Sequence, residues 1–328
     1  MAAPVLRLGL IGHGTVGQSF AHHLADATIR IERRTGVRVQ LSRIAVRRPD
    51  RVRLVHPRVR VCDDPLDLAL DPALDLVVEA SGAREASDWL LAALNRGATI
   101  VTANKQAVAN SYALLQALAD RHPGCLAEGA VAAAIPIVRT LRDSLQGEDI
   151  RAIRGILNGT STFVLSAVER GASWDTAVAD AVAAGLAEPN STADFDGSDA
   201  AAKLAILATI AWRTPIHRDR VRVRGLDARA ETTAQSAFAS GRRLRVVADA
   251  WTHGGGHLLV EPRVLEADDP LLHVSGATNA IELDAALAGQ LRWFGPGAGG
   301  AHTASALLAD VAHAAAERSR RARTQVAA

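Results

Sequence analysis

The sequence predicts an α/β protein that begins with a doubly wound parallel sheet and continues into a second domain. Apolar segments of strand length alternate with helical patterns as far as Leu126. A Gly-x-Gly-x-x-Gly turn, Gly12–Gly17, directly follows the first of these segments. The chain has 328 residues, which is more than one hydrophobic core usually organises, so we expect two domains.

The predicted strands are short and apolar, and they span residues 5–11, 37–46, 74–80 and 99–102, with a further strand ending at Leu126. Helical patterns run from Val16 to a stop at Thr35-Gly36, and over residues 86–95. Successive strand–helix units imply a parallel sheet with ligand groups at the carboxyl ends of its strands. Ser81 and Lys105 both fall at such ends.

The glycine turn has the context that makes this motif informative, because it lies between a strand and a helix. Gly12 permits the tight turn, Gly14 lets a pyrophosphate approach the backbone, and Gly17 lets helix and strand pack closely. Thr15 and Val16 open the helix, whose N-terminus offers amides and a positive dipole to an anion. The turn therefore predicts a Rossmann-type dinucleotide-binding domain, the alternative being a glycine-rich turn without ligand.

The end of the second strand indicates which dinucleotide is preferred. An acidic residue there would bind the adenosine ribose hydroxyls and select NAD(H), but the sequence has Arg47 and Arg48. Guanidinium groups suit a 2′-phosphate, so NADP(H) is favoured over NAD(H). The alternative is a pair of solvated surface arginines. The next carboxylate, Asp50, comes late for the ribose role.

Composition excludes several classes of partner. The formal net charge is +2, so nothing favours nucleic acid or a membrane surface. No apolar run reaches the roughly 18 residues of a membrane span, and the N-terminus does not resemble a signal peptide. Two cysteines, Cys62 and Cys125, fit a reducing compartment. We therefore expect a soluble, cytoplasmic protein.

An acidic stretch in the second half is the most informative part of the chain. Four carboxylates and one lysine fall within sixteen residues: Glu188, Asp194, Asp196, Asp199 and Lys203. If a helix begins at Asp199, that residue and Lys203 share one face, four positions apart. Such a pair can handle a proton. The alternative is an acidic helix N-terminus with one surface ion pair.

Lysine is scarce, since Lys105 and Lys203 are the only two among 37 lysines and arginines. Arginine does not usefully release a proton, whereas lysine can. Retention of lysine at these two positions therefore favours proton chemistry there.

Three further segments carry weaker signals. Glu128 with neighbouring carbonyl groups could hold a monovalent cation. Residues 155–163 are typical of a strand-to-helix junction, with Thr160 or Ser161 as the N-cap. The glycine-rich residues 295–300 indicate either backbone close to a ligand or a hinge, and Gly254–Gly256 a hairpin turn.

Taken together, these motifs resemble the homoserine dehydrogenase family over nearly the whole chain. Beyond the generic glycine turn, the specific segments occur in the family's order: Thr102–Lys105, Asn158–Thr160, Ala187–Lys203, Asn279–Ile281 and Gly297–Ser305. The resemblance implies NAD(P)-dependent interconversion of L-homoserine and L-aspartate 4-semialdehyde, in the threonine, methionine and isoleucine branch of biosynthesis. It also implies a nucleotide-binding domain over residues 1–135 and an α+β substrate-binding and dimerisation domain over 136–300. The resemblance further implies that the C-terminal helix, 301–328, packs back on the first domain and that the protein is a homodimer.

The resemblance also implies roles for individual residues. Lys203 matches the proton donor, with Asp199 beside it, and Lys105 a lysine that contacts cofactor and substrate. Substrate-binding positions are Glu188, Asp194, Asn158 and Thr160. Cofactor-binding positions are Gly12, Gly14, Thr15, Val16, Gly17, Arg47, Arg48, Ser81, Lys105 and Gly297. Glu128, Val131 and Ala133 match the family's sodium site.

Some positions depart from the family pattern. Asn190-Ser191 replaces the usual Asp-Pro, Thr162 stands where asparagine is common, and residues 131–134 are poorer in glycine. We also expect no appended regulatory domain, and hence no threonine feedback through one. Two rival hypotheses are a related oxidoreductase for another amino aldehyde or hydroxy acid, and a non-catalytic dinucleotide-binding regulator.

Overall fold

A computed structural model describes residues 4–52, 58–187, 192–252 and 256–327. The chain packs as two compact units. Unit 1 comprises Met1–Ala130 and Gly300–Ala328, and unit 2 comprises Val131–Gly299. Within the described ranges, none of the helices combines the length and apolar character that crossing a membrane requires.

Unit 1 is a doubly wound sheet of six parallel strands with helices packed against it, as the sequence predicts. Its strands are β1 Val5–Ile11, β2 Arg38–Ala45, β3 Arg60–Cys62, β4 Leu76–Glu79, β5 Thr99–Thr102 and β6 Cys125–Leu126. Its helices are α1 Thr15–Thr35, α2 Pro65–Leu70, α3 Ala86–Asn95, α4 Lys105–Ala109, α5 Tyr112–Ala119 and, at the end of the chain, α12 Gly300–Ala327.

The strand order is β3-β2-β1-β4-β5-β6, so the direction of winding reverses between β1 and β4. Ligands of such sheets bind in the crevice outside the carboxyl ends of the strands at this reversal. The glycine turn follows β1 and Ser81 follows β4, so these two segments lie beside each other at this reversal although they are far apart in the sequence.

The predicted elements of unit 1 are confirmed with small changes of boundary. The two strands predicted at 37–46 and 74–80 are shorter, and β3, α2, α4 and α5 were not predicted. Only three residues of β3 pair with β2, too few for a visible period in the sequence. Helix α12 adds Leu307 and Val311 to the same buried core as Phe20 of α1.

Unit 2 is built on a second sheet of six strands, ordered β12-β11-β7-β9-β10-β8. All neighbouring pairs are antiparallel except β8 with β10. The strands are β7 Ile150–Ile156, β8 Arg222–Val223, β9 Arg243–Trp251, β10 His257–Leu265, β11 Thr278–Ala285 and β12 Gly289–Pro296. The helices are α6 Ile137–Arg139, α7 Gly159–Glu169, α8 Trp174–Ala183, α9 Thr192–Phe195, α10 Ser198–Trp212 and α11 Ala230–Ala239.

Helix α10 is the centre of unit 2, since every residue from Asp199 to Ile210 is buried. Its N-terminus is fixed by two glycines. Gly197 has φ +85°, and a Cβ there would lie 2.8 Å from a methyl carbon of Val223. A Cβ on Gly225 would lie 2.7 Å from the Cα of Asp196. The start of α10 is therefore tightly held.

An ion pair that involves Arg154 of β7 makes the stability of unit 2 depend on pH. Arg154 donates to both carboxylate oxygens of Asp269, at 3.1 and 2.5 Å. Burial alone would raise the pKa of Asp269, but the hydrogen bonds from Arg154 outweigh it, and the pKa lies below its ordinary value of 3.8. Around pH 4 the unfolded chain therefore binds more protons at Asp269 than the folded chain does. The ion pair stabilises the fold at neutral pH, and this contribution is lost as pH falls below about 4.

We expect the thermal midpoint of the wild type to exceed that of Asp269→Asn at neutral pH, with the difference shrinking as pH falls from about 4. Circular dichroism melts over a pH series would measure it. A difference that stays constant into acid would contradict the ion-pair explanation.

Candidate active site

The glycine turn at the end of β1 has the geometry of a phosphate cradle. Gly12 has φ +93°, and a Cβ there would lie 2.6 Å from the backbone of Ser81. A Cβ on Gly17 would lie 2.2 Å from the carbonyl oxygen of Gly12. By contrast, a Cβ on Gly14 would meet nothing within 4 Å, and Gly14 caps α1 without a side-chain hydrogen bond. The free helix N-terminus beside open space fits an anionic group.

A cavity of about 780 Å³ opens beside this turn. Of the predicted cofactor-binding residues, five line it: Gly12, Gly14, Arg47, Arg48 and Ser81. Both arginines are exposed. The cavity thus combines the glycine turn of a dinucleotide-binding domain with two guanidinium groups.

The other predicted cofactor residues lie elsewhere in the described structure. Thr15 and Val16 form the first turn of α1, and Gly17 packs on the turn rather than lining the cavity. Gly297 lies in unit 2, where a Cβ would overlap the Asn279 side chain at 2.0 Å. Glycine at 297 is therefore explained by packing.

Lys105 begins α4, and its placement depends on Asn104. The Asn104 side chain accepts a hydrogen bond from the backbone N–H of Ala107 at 3.0 Å and donates to the carbonyl of Ala83 at 2.8 Å. Asn104 is thus the N-cap of α4 and a link to the loop after β4. Lys105 itself is half-buried.

Sequence reasoning missed three contributors to this half of the site. His13 and Trp89 line the cavity, and burial lowers the pKa of His13. Glu79 is fully buried and accepts hydrogen bonds from Ser81. A signal for Glu79 was available, since an acidic residue inside an apolar strand requires buried donors.

In unit 2 the acidic segment forms a buried polar cluster. The Lys203 Nζ lies 2.7 Å from the Asp199 Oδ2 and donates to the carbonyl of Leu157 at 2.7 Å. The side chains of Lys203 and Asp199 are 9 and 10% exposed. The expected i,i+4 pair is therefore present, but it is buried, which excludes the surface ion pair that was its alternative.

Asn158 ties the cluster together. Its Nδ2 donates to Asp194 at 2.7 Å and to Asp199 at 2.9 Å, while its Oδ1 accepts from the backbone N–H of Ser161 at 2.8 Å. The N-cap of α7 is thus Asn158, and the prediction of Thr160 or Ser161 as the cap was wrong. Asn158 precedes the helix and has an extended backbone, so its side chain can reach the free backbone N–H groups of the first helical turn. Thr160 and Ser161 already lie inside the helix and cannot take this role.

The other residues of unit 2 that the sequence analysis named are placed as follows. The Thr160 hydroxyl donates to the carbonyl of Leu186 at 2.8 Å, and Thr162 donates to the carbonyl of Asn158. Glu188, Asn190 and residues 253–255 lie outside the described residues. Asn279 donates to the Leu157 carbonyl at 3.0 Å, so Leu157 is shared with Lys203.

The predicted cation residues lie on both sides of the unit boundary. Glu128 is buried in unit 1, where its backbone N–H donates to Asp310 of α12 at 2.9 Å. Val131 and Ala133 begin unit 2, and Ala132 and Ala133 have φ of 53° and 42°. Among the described side chains, no group of three or more His, Cys, Asp or Glu residues is placed to hold a metal ion.

A doubly wound sheet with a glycine turn at its reversal is the architecture of dinucleotide-binding domains. Together with the buried lysine–carboxylate cluster of the second unit, it is typical of an NAD(P)-dependent oxidoreductase. Two family models match the chain, homoserine dehydrogenase over residues 136–312 and the homoserine dehydrogenase NAD-binding domain over residues 12–124. The chain belongs to the homoserine dehydrogenase family.

Individual relatives agree with the family models. The chain is 39% identical to the homoserine dehydrogenase of Mycobacterium tuberculosis over 320 residues, which is 95% of this chain and 72% of that protein. It is 36% identical to the Corynebacterium glutamicum enzyme over 317 residues, 94% of this chain and 71% of that one. A homoserine dehydrogenase structure from Thiobacillus denitrificans matches with a TM-score of 0.87 and 31% identity, covering 96% of this chain and 74% of that one. A structure of a hyperthermophilic archaeal homoserine dehydrogenase in complex with NADPH matches with a TM-score of 0.78 and 27% identity, covering 94% of this chain and 96% of that one.

Proposed function

We propose that the protein interconverts L-homoserine and L-aspartate 4-semialdehyde with NADP(H), using Lys203 as the proton donor and acceptor. The buried contact between Lys203 and Asp199 carries this proposal. An ammonium held at 2.7 Å from a carboxylate and from a carbonyl oxygen has a fixed position, which proton transfer requires.

The reaction needs two transfers, and the nicotinamide supplies or accepts the hydride at carbon. In the reducing direction, Lys203 gives a proton to the aldehyde oxygen as carbon gains the hydride, and the product is the alcohol. In the oxidising direction Lys203 takes the hydroxyl proton. Asp199 keeps the lysine oriented in both directions.

The charge of the cluster suits an amino-acid substrate. Asp194 and Asp199 are joined through Asn158, so two carboxylates and one lysine lie close together. The ammonium of an amino-acid substrate would be attracted to such carboxylates. We propose that Asp194, Asn158, Thr160 and Glu188 bind or shape the site for the substrate.

On the cofactor side, we propose that Gly12–Gly17 and Ser81 bind the dinucleotide and that Lys105 contacts both cofactor and substrate. The uncapped start of α1 would hold the pyrophosphate. The N-cap contact of Asn104 fixes the start of the helix that carries Lys105.

Arg47 and Arg48 support a preference for NADP(H), because they line the cavity beside the glycine turn. Replacing both with glutamine should weaken NADPH binding by about tenfold to a hundredfold, as loss of charged hydrogen bonds predicts, and leave NADH binding nearly unchanged. Titration of each cofactor by fluorescence measures this. Equal losses for both cofactors would contradict a role in binding the 2′-phosphate. Arg151→Gln is the surface control, because Arg151 is an exposed arginine on β7 of unit 2.

A sodium ion, a homodimer and a cytoplasmic location are also part of the proposal. The left-handed backbone at Ala132 and Ala133 is strained for residues with a Cβ, which is typical of functional loops and supports a cation bound to nearby carbonyls. Phe294 of the edge strand β12 is 54% exposed and Leu287 is 86% exposed, which supports association through this sheet.

The test is reduction of NADP⁺ by the purified protein with L-homoserine, compared with NAD⁺, L-serine and L-threonine. We expect activity with homoserine and NADP⁺. Preference for NAD⁺ would keep the reaction but remove the arginine argument. Absence of homoserine activity in either direction, with NADPH still bound, would favour another substrate or a non-catalytic regulator.

A further inference from the structure

Glu79, the last residue of β4, is a fully buried carboxylate next to the cofactor cavity. Its Oε1 accepts hydrogen bonds from the backbone N–H of Ser81 at 2.8 Å and from the Ser81 hydroxyl at 2.6 Å. Its Oε2 accepts from the Thr102 hydroxyl at 2.8 Å, at the end of the neighbouring strand β5. One side chain therefore holds the carboxyl ends of two adjacent strands.

The bonds continue into the loop that precedes α4. The Thr102 hydroxyl accepts from the backbone N–H of Asn104 at 2.9 Å. Asn104 in turn caps α4 and bonds to the carbonyl of Ala83, which also lines the cavity. Glu79 is thus joined to both the loop that carries Ser81 and the helix that begins at Lys105.

The same bonds fix the direction in which Ser81 can interact. A hydroxyl has one proton and two lone pairs. The proton of Ser81 is given to Glu79, and one lone pair accepts from the backbone N–H of Ala83 at 3.1 Å. What Ser81 can offer to a ligand is a lone pair, which suits a ribose hydroxyl or a carboxamide N–H and not a phosphate oxygen.

We propose that Glu79 is a positioning residue for the dinucleotide: it orients Ser81 as a hydrogen-bond acceptor and aligns the start of α4. The proposal rests on the proposed function for the identity of the cofactor. A carboxylate is needed because it accepts from both hydroxyls at once. Glutamine at 79 keeps the acceptor for Ser81 but presents an N–H₂ group to Thr102.

The experiment measures NADPH dissociation constants of the full-length protein by cofactor fluorescence, with thermal melts of each variant. Glu79→Leu leaves three donors without a partner, so NADPH binding should weaken by about tenfold to a hundredfold, and Glu79→Gln by less. Asp75→Asn is the matched control, because Asp75 flanks the opposite end of β4 and binds Arg7 and Arg318. It should leave NADPH binding unchanged even if the melting temperature falls.

A double-mutant cycle separates positioning from general destabilisation. In a Ser81→Ala, Thr102→Val background, Glu79→Leu should weaken NADPH binding clearly less than in the wild type, because only the bond to the backbone N–H of residue 81 remains to be lost. A loss as large as in the wild type would overturn the proposal, as would an equal loss in Asp75→Asn. If Glu79→Leu does not fold, the same cycle with Glu79→Gln decides.

NADPH binding and homoserine oxidation by the wild-type protein test the positioning role of Glu79 and the proposed function separately. Wild-type protein that binds NADPH but does not oxidise homoserine would contradict the proposed substrate and leave the cycle intact. Wild-type protein that binds no NADPH would overturn both.

Discussion

Replacing Lys203 with alanine should lower turnover of homoserine by about a hundredfold to ten-thousandfold, the range of a lost general acid–base group. NADPH affinity should stay nearly intact, because Lys203 belongs to unit 2 and is not among the residues that line the cavity beside the glycine turn. The measurement is steady-state kinetics with saturating NADP⁺ beside a direct NADPH titration.

Three controls distinguish this result from a loss of folding. Lys203→Ala leaves Asp199 buried without its cation, which destabilises the fold, so melting curves must accompany the kinetics. Lys203→Arg keeps the positive charge but cannot release a proton usefully, and it should also be inactive. Added primary amines should restore part of the activity of Lys203→Ala. Near-normal turnover of the alanine variant would contradict the proton-transfer role.

Gly14→Ala and Gly17→Ala should both weaken cofactor binding, the first at the binding site itself and the second through the stability of the fold. Gly14 has φ −80°, and an alanine Cβ would meet no atom within 4 Å, so the protein itself should keep its stability. The methyl group instead occupies space beside the start of α1 and should weaken NADPH binding at least about tenfold, or 1.4 kcal/mol. At Gly17 the Cβ lies 2.2 Å from the Gly12 carbonyl oxygen, and we expect a loss of about 1–3 kcal/mol of folding free energy or more.

Chemical denaturation and NADPH titration of the same preparations distinguish the two cases. Gly147→Ala is the control, because its Cβ also meets nothing within 4 Å but its loop belongs to unit 2. Gly147→Ala should change neither the free energy of unfolding nor the NADPH affinity. Wild-type NADPH affinity in Gly14→Ala would show that no pyrophosphate approaches this turn.

Much of unit 1 could be predicted from sequence because its signals are local. A parallel strand buried on both faces appears as a short apolar run, and strands β1 and β5 were predicted at their observed bounds. The glycine turn likewise follows β1 directly in the chain. The three-residue strand β3 and the six-residue helix α2 were missed because such short elements are stabilised by their neighbours rather than by their own pattern.

In unit 2 the sequence predicted the Asp199–Lys203 pair from helical spacing, but spacing cannot tell a surface pair from a buried one. Burial depends on α10 being surrounded by the rest of its unit. The N-cap of α7 was misassigned for a related reason. Asn158 was marked by its motif, yet its contacts with Asp194 and Asp199 join residues 36 and 41 positions away in the chain.

The sequence by itself determined the fold class, the glycine turn, the two lysines and the family, because each of these depends on the order and spacing of neighbouring residues. The tertiary structure alone decided which side chains face one another. It brought Arg47 and Arg48 to the same cavity as Ser81, and it placed Glu79 between Ser81 and Thr102. Those contacts join separate strands, and strand order in a parallel sheet depends on long-range packing that no local pattern encodes.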